Sequence, residues 1–377
     1  MFRAGYRIPA SIVLGLALFF GIALSAQEAP PRLSDEAFWK LVTDYSEPGG
    51  TFVSDNFVSN ELGSQHVLKN LAQGRTSGGA YLGVGPEQNF TYIVALKPDI
   101  AFIFDIRRQN MILHLMYKAL IELSNSRVDF LTLLFSRIPM GYVGTESSAV
   151  ELFDAFRQAE PDRELSEDTL ASIKDRLMKD HGFQLTDEDQ LTLDYVMQAF
   201  YVGGTDLGYA GPWQRLRSPL LPSYEQLMVD TDENGEFRSF LATEENFLAL
   251  QQFEKNNLIV PLVGNFAGPK AIRAVGEYLR ARNTTVAAFY LSNVEHYLFM
   301  NPDDWKTFYS NVATLPLDSR SVFIRPLIKT GNEGYSASPI LRRGYSWDTL
   351  LFSIQDLVTA FDAGMIQTYY DIIQMPN

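Results

Sequence analysis

The sequence predicts an α/β fold, a doubly wound sheet in three layers with a large, mostly helical insertion. Three observations lead there. Short apolar runs free of charge alternate with amphipathic segments from Gly79 onward, the alternation stops near Ser126, and it resumes at Leu258. Continuous apolar runs are what a strand covered on both faces requires, and strand-helix alternation is how parallel strands are joined.

The 377 residues are 46% hydrophobic and 20% charged, enough apolar material for a large core and against a disordered chain. Forty-five acids against 31 bases leave a formal charge of −14, which disfavours nonspecific nucleic-acid binding because phosphate contacts need cations. With no cysteine, disulfides, thiolate metal sites and cysteine nucleophiles are excluded.

Taken in order, residues 1–26 have the anatomy of an export signal: Arg3 and Arg7, the apolar run Ile12 to Leu24, then small residues at Ala23, Ser25 and Ala26. Cleavage is expected after Ser25 or Ala26, giving a periplasmic or secreted protein; left uncleaved, the run would anchor it to a membrane. No stable span is expected once the signal is gone. Residues 27–78 form a helical extension, with Ser34 capping a helix whose first turn carries Asp35 and Glu36.

The first half of the sheet domain, 79–125, has strand Ala80-Tyr81-Leu82, the turn Gly83-Val84-Gly85, a helix over Asn89 to Leu96, strand Ala101 to Phe104 ending in Asp105, and an amphipathic helix carrying Ile112, Met116 and Leu120. Residues 126–245 are the insertion, expected to cap the cleft. The second half, 246–330, has strand Leu258 to Val263, a helix opened by Pro269, and strands Val286 to Leu291 and Ser321 to Ile328. Residues 331–377 read as a helical tail, with a helix over Trp347 to Phe361.

The chemistry gathers at the strand ends. Gly83-x-Gly85 at a strand-to-helix turn admits a ligand to the backbone beside free helix N–H groups, and Asp105 closes the next strand 20 residues later, where an acid can accept hydrogen bonds from ribose hydroxyls. Gln88 and Pro86 depart from a dinucleotide fingerprint. The arrangement resembles the class I S-adenosylmethionine-dependent methyltransferases over residues 79–125 and 256–330, which implies a Rossmann-like fold of that type. The resemblance implies cofactor contacts at Gly83, Gly85, Glu87, Asp105, Asn265 and Phe266, with Asn293, Glu295 and His296 at the catalytic-loop position. It departs at Tyr81, where the family has an acid, at Glu87, where it has a third loop glycine, and at Asn265, where it has an adenine-side acid. The runs Gly-Val-Gly-Pro-Glu-Gln-Asn-Phe-Thr-Tyr (83–92), Phe-Asp-Ile-Arg-Arg-Gln-Asn (104–110) and Ser-Asn-Val-Glu-His-Tyr-Leu (292–298) also resemble an uncharacterised bacterial family.

Two functions stay open: an exported protein binding S-adenosylmethionine or another nucleoside-type ligand as a methyltransferase-like enzyme, or a noncatalytic exported module that binds a small molecule or a protein after losing the cofactor. No metal is expected, since His66, His114, His181 and His296 include no pair at helical metal spacing. The Asp230-x-Asp232-x-Asn234-Gly235 run has calcium-loop spacing but Leu241 where the last acid should stand. No nucleophile elbow and no phosphate-loop lysine motif occurs.

Overall fold

A computed structural model of the chain describes residue 1 and residues 32–73, 78–213, 221–328 and 347–375. The export-signal reading falls on residues that, Met1 apart, lie outside these. Residues 31–377 form one unit, to which everything below refers.

The chain begins with α1 (Asp35–Tyr45), capped by Ser34 as expected, then a single 3-10 turn and α2 (Leu68–Ala72). The sheet starts at β1 (Ala80–Val84), joined through α3 (Gln88–Leu96) to β2 (Ile100–Asp105) and through α4 (Arg108–Leu123) into the insertion. There lie α5 (Arg127–Phe135), α6 (Ala149–Arg157), α7 (Arg163–Asp175), α8 (Asp187–Gly203), α9 (Tyr224–Met228) and α10 (Glu244–Lys255). The second half runs β3 (Ile259–Val263), α11 (Ala271–Arg280), β4 (Val286–Tyr290), α12 (Val294–Leu298), α13 (Asp304–Val312) and β5 (Val322–Ile328). It closes with β6 (Trp347–Ser353), α14 (Ile354–Asp362) and α15 (Tyr369–Ile373).

The six strands make one sheet in the order β3-β2-β1-β4-β5-β6, parallel except for β6, which runs antiparallel to β5 with Phe352 opposite Phe323. The first four strands are buried residue by residue, as their unbroken apolar composition requires. Right-handed crossovers place α3 and α4 on one face and α11 and α13 on the other. The packing agrees: α10 lies against both α3 and α4, whereas α11 meets α1 and α13, and α13 meets α14. The helical reading of Trp347 to Phe361 is corrected in its first half. Trp347–Ser353 is a strand, because β5 offers it an open edge, and the helix begins only after Ser353, whose hydroxyl caps it.

The insertion is helical, as expected, but it shares the core of the sheet domain. Tyr117 of α4 meets Phe130 of α5 at 6.2 Å and Phe200 of α8 at 5.8 Å, and Phe90 of α3 meets Phe240 at 5.3 Å. Each of these aromatics is fully buried, which contributes roughly 1.5–3 kcal/mol apiece and packs the insertion onto the α3 and α4 helices of the sheet domain.

Candidate functional site

A cleft of about 250 Å³ opens at the carboxyl ends of β1 to β4. It straddles the point between β1 and β4 where consecutive connections leave in opposite directions, the place where α/β sheets leave a crevice. Its walls come from the ends of all four strands and from the extension, which supplies Phe52, Asn56, Ser59 and Asn60. Among the described residues Tyr209 is the insertion's share of the lining, so there the extension supplies more of the walls than the insertion does.

The glycine turn is held from below. Asn89 donates through Nδ2 to the carbonyls of Val84 (3.0 Å), Gly85 (3.2 Å) and Pro86 (2.7 Å), and its Oδ1 accepts from the Tyr81 hydroxyl at 2.9 Å. Tyr81, the residue in place of the usual acid, is therefore an anchor for the turn. The Gly85 carbonyl also accepts from Asn110 at 3.2 Å and from His114 Nε2 at 2.8 Å. Burial pulls the His114 pKa down to about 4, so the ring is neutral at pH 7, and an accepting carbonyl places its proton on Nε2. The two glycines differ in role. A Cβ on Gly83 would stand 1.9 Å from Asn89 Oδ1, so packing requires that glycine, while Gly85 has φ +76° and nothing within 4 Å of its missing Cβ.

Glu87 does not line the cleft. It stands just before α3, fully buried, with its carboxylate accepting the Ser59 N–H at 3.1 and 3.3 Å. Burial raises its pKa to about 7. The expected cofactor contact at Glu87 is thus replaced by a tie to the extension.

Asp105 lines the cleft but has a partner. Its Oδ1 accepts from the backbone N–H and Nε of Arg107 at 2.9 and 3.0 Å, and its Oδ2 accepts from Nη2 at 2.6 Å. The same guanidinium donates through Nη1 to the carbonyls of Ser54 and Asp55. A carboxylate has about four lone-pair positions, and three are taken. Asn265 and Phe266 border the cleft as expected. Asn265 Oδ1 accepts the Ala267 N–H at 3.0 Å, and the Phe266 ring stacks on Phe289 at 5.7 Å.

Past β4, Asn293 lines the cleft, but the other two catalytic candidates do not. Glu295 is buried away from it, accepting from Arg325 Nε and Nη2 at 2.5 and 2.8 Å and from the Tyr309 hydroxyl at 2.7 Å. His296 is exposed, with its ring edge to Tyr297 and Tyr369. For Glu295 the cause is helical geometry: at about 100° per residue, two steps along α12 turn its side chain about 200° from Asn293.

Sequence reasoning missed Glu61. It is fully buried, its Oε2 accepts from the Tyr290 hydroxyl at 2.6 Å, and its Oε1 accepts from the Ser292 hydroxyl. Tyr290 and Ser292 both line the cleft, and Ser292 has a left-handed φ of +46°. In the Asp230–Gly235 turn Asp232 accepts the N–H groups of Asn234 and Glu236 and pairs with Arg238, while Asp230 accepts the Gly63 N–H of the extension at 2.7 Å. Among the described residues no group of three metal-ligating side chains converges.

Residues 56–139 and 163–365 match the family described as a domain of unknown function (DUF7790). The chain belongs to that family. The matched spans contain all six strands together with Glu61, Gly85, Asp105 and Ser292, so the sheet and the cleft's principal residues fall within the domain. No curated protein matches the chain.

Proposed function

We propose that this is an exported protein whose cleft binds a nucleoside-type small molecule, with S-adenosylmethionine as the specific candidate, in a Rossmann-like fold of the class I methyltransferase type. The observation that carries the proposal is Gly85, open on its cleft side at the start of α3, facing the end of β2 where Asp105 stands. The strand order, with five parallel strands and an antiparallel sixth, supports the same fold type. Gly85 would let the ligand approach the backbone, Asp105 would accept one ribose hydroxyl on its remaining lone pair, and Asn265 and Phe266 would border the base. The bound compound would supply an electrophilic methyl group. The chain's part is to hold and orient it, since methyl transfer depends mainly on alignment.

Calorimetry with S-adenosylmethionine and S-adenosylhomocysteine tests the ligand. Binding of either is expected, and no heat from both at ~1 mM ligand refutes the reading. Export is tested separately by cell fractionation and by sequencing the mature amino terminus, expected after residue 25 or 26.

A second reading, a noncatalytic binding module, is favoured by one observation: Arg107 occupies three of the positions on Asp105 that a ribose would use. Under it neither adenosyl compound binds, and native mass spectrometry of protein taken from its own compartment finds a different small molecule in the cleft.

A further inference from the structure

The β4 end of the cleft contains a buried acid with no part in nucleoside binding. Glu61 has no solvent exposure, and the tyrosines within its field are Tyr81, Tyr92, Tyr209 and Tyr290. No basic side chain among the described residues offsets it; its influences are burial and the two hydroxyl hydrogen bonds. The cleft's one lining guanidinium among those residues, Arg107, is committed to Asp105 and to two backbone carbonyls.

The hydroxyls decide what such a site accepts. A serine or tyrosine hydroxyl has a single proton to donate. With Glu61 ionised, the protons of both Tyr290 and Ser292 go to it, so each oxygen then offers a ligand only its lone pairs. This end of the cleft therefore receives hydrogen-bond donors and repels acceptors. Asp304, half-buried in the same lining, adds a second carboxylate, and Phe52, Tyr290 and Tyr297 line the same cleft with aromatic rings, side chains that attract a cation placed over their faces.

We propose that the β4 end of the cleft is a subsite for a protonated amine, recognised by the Ser292 and Tyr290 oxygens with Glu61 as the counter-charge behind them. This rests on reading the cleft as a small-molecule site, not on which nucleoside fills the other end. It names the substrate class: an amine, not an acid or a phosphate ester. Burial raises the Glu61 pKa to about 7, so at pH 6.5 most of the free protein holds that carboxyl protonated. An arriving ammonium favours the carboxylate, and its binding must expel that proton.

The test uses three matched probes, benzylamine, benzyl alcohol and benzoate, titrated into the full chain by calorimetry in buffers of different ionisation heat. Benzylamine is expected to bind at least about tenfold more tightly than benzyl alcohol, with benzoate weakest. Protons should be released on benzylamine binding at pH 6.5, fewer than one per ligand, and the release should be smaller at pH 8. Glu61→Gln should abolish the release and the preference for the amine; Ser292→Ala, which keeps the carboxyl, should weaken benzylamine more than benzyl alcohol. Melting curves identify any variant that fails to fold. Equal affinity for the amine and the alcohol in the wild-type chain, or a release that persists in Glu61→Gln, overturns the proposal. Binding of either adenosyl compound without amine preference overturns this subsite alone, whereas amine preference with no binding of S-adenosylmethionine or S-adenosylhomocysteine supports it and refutes the adenosyl reading.

Discussion

Glu295→Gln separates a structural acid from a catalytic one. The substitution keeps the side chain's shape and removes its charge, leaving the Arg325 guanidinium buried between the Phe323 and Phe352 rings, at 5.1 and 4.5 Å from their centres, with no carboxylate. Breaking a buried pair in this way costs about 3–5 kcal/mol, because the remaining ion stays desolvated. Unfolding entropy is about 2.1 cal/mol/K per residue, so a unit spanning Pro31–Asn377 loses about 1.4 °C of melting temperature per kcal/mol. The expected fall is therefore about 4–7 °C by scanning calorimetry, and Glu295→Gln with Arg325→Met should regain most of it, since the orphaned charge is gone. Ligand affinity at the cleft should stay within about twofold. A melting temperature within about 1 °C of wild type, combined with lost ligand binding, would mean that Glu295 reaches the cleft, and the assignment of a structural role would fall.

Two further predictions use a glycine of the cleft and a histidine outside it. Gly85→Val should lose about 1–2 kcal/mol from its left-handed backbone and weaken adenosyl binding at least tenfold; Gly235→Val, at φ +81° with equal free space, carries the same strain and should leave binding intact. His181 lies between Asp35 (2.8 Å) and Glu122 (2.7 Å), and hydrogen bonds and charge from Glu122 raise its pKa despite partial burial. Because its folded pKa exceeds the unfolded value of about 6.5, its stabilisation is complete below that pH and is lost as pH rises through the folded pKa. Chemical denaturation of wild type and His181→Gln from pH 6 to 9 should show a difference that shrinks with pH, and a constant difference would contradict this account.

The strands were legible wherever both faces are buried, because a run such as Ala101-Phe102-Ile103-Phe104 then carries no polar residue. β6 was not, since it pairs along one edge only and its Asp348 and Thr349 interrupt the apolar run. Of the expected site residues, Gly85, Asp105, Asn265, Phe266 and Asn293 line the cleft, Asp105 as the last residue of β2 and the others in the segments that follow a strand. Glu87 and Glu295 are equally close in sequence, but local helical direction aims them into the protein interior. Glu61 had no signal at all. Its partners are 229 and 231 residues away, and nothing in the irregular segment around it marks which strand end it will meet.

That separation also bears on how the molecule comes together. One wall of the cleft is made early in synthesis and the facing wall comes from β4, so closing the Glu61 contacts is among the longest-range steps the chain must take. Loop-closure entropy delays such pairings until intervening structure shortens the path. The sheet's first two strands and α4 can assemble from neighbouring sequence, while the ligand-binding surface waits for the two halves to meet. A nascent chain would thus acquire its core before its recognition surface, and a ligand that spans both walls would favour the last stage of folding over every earlier one.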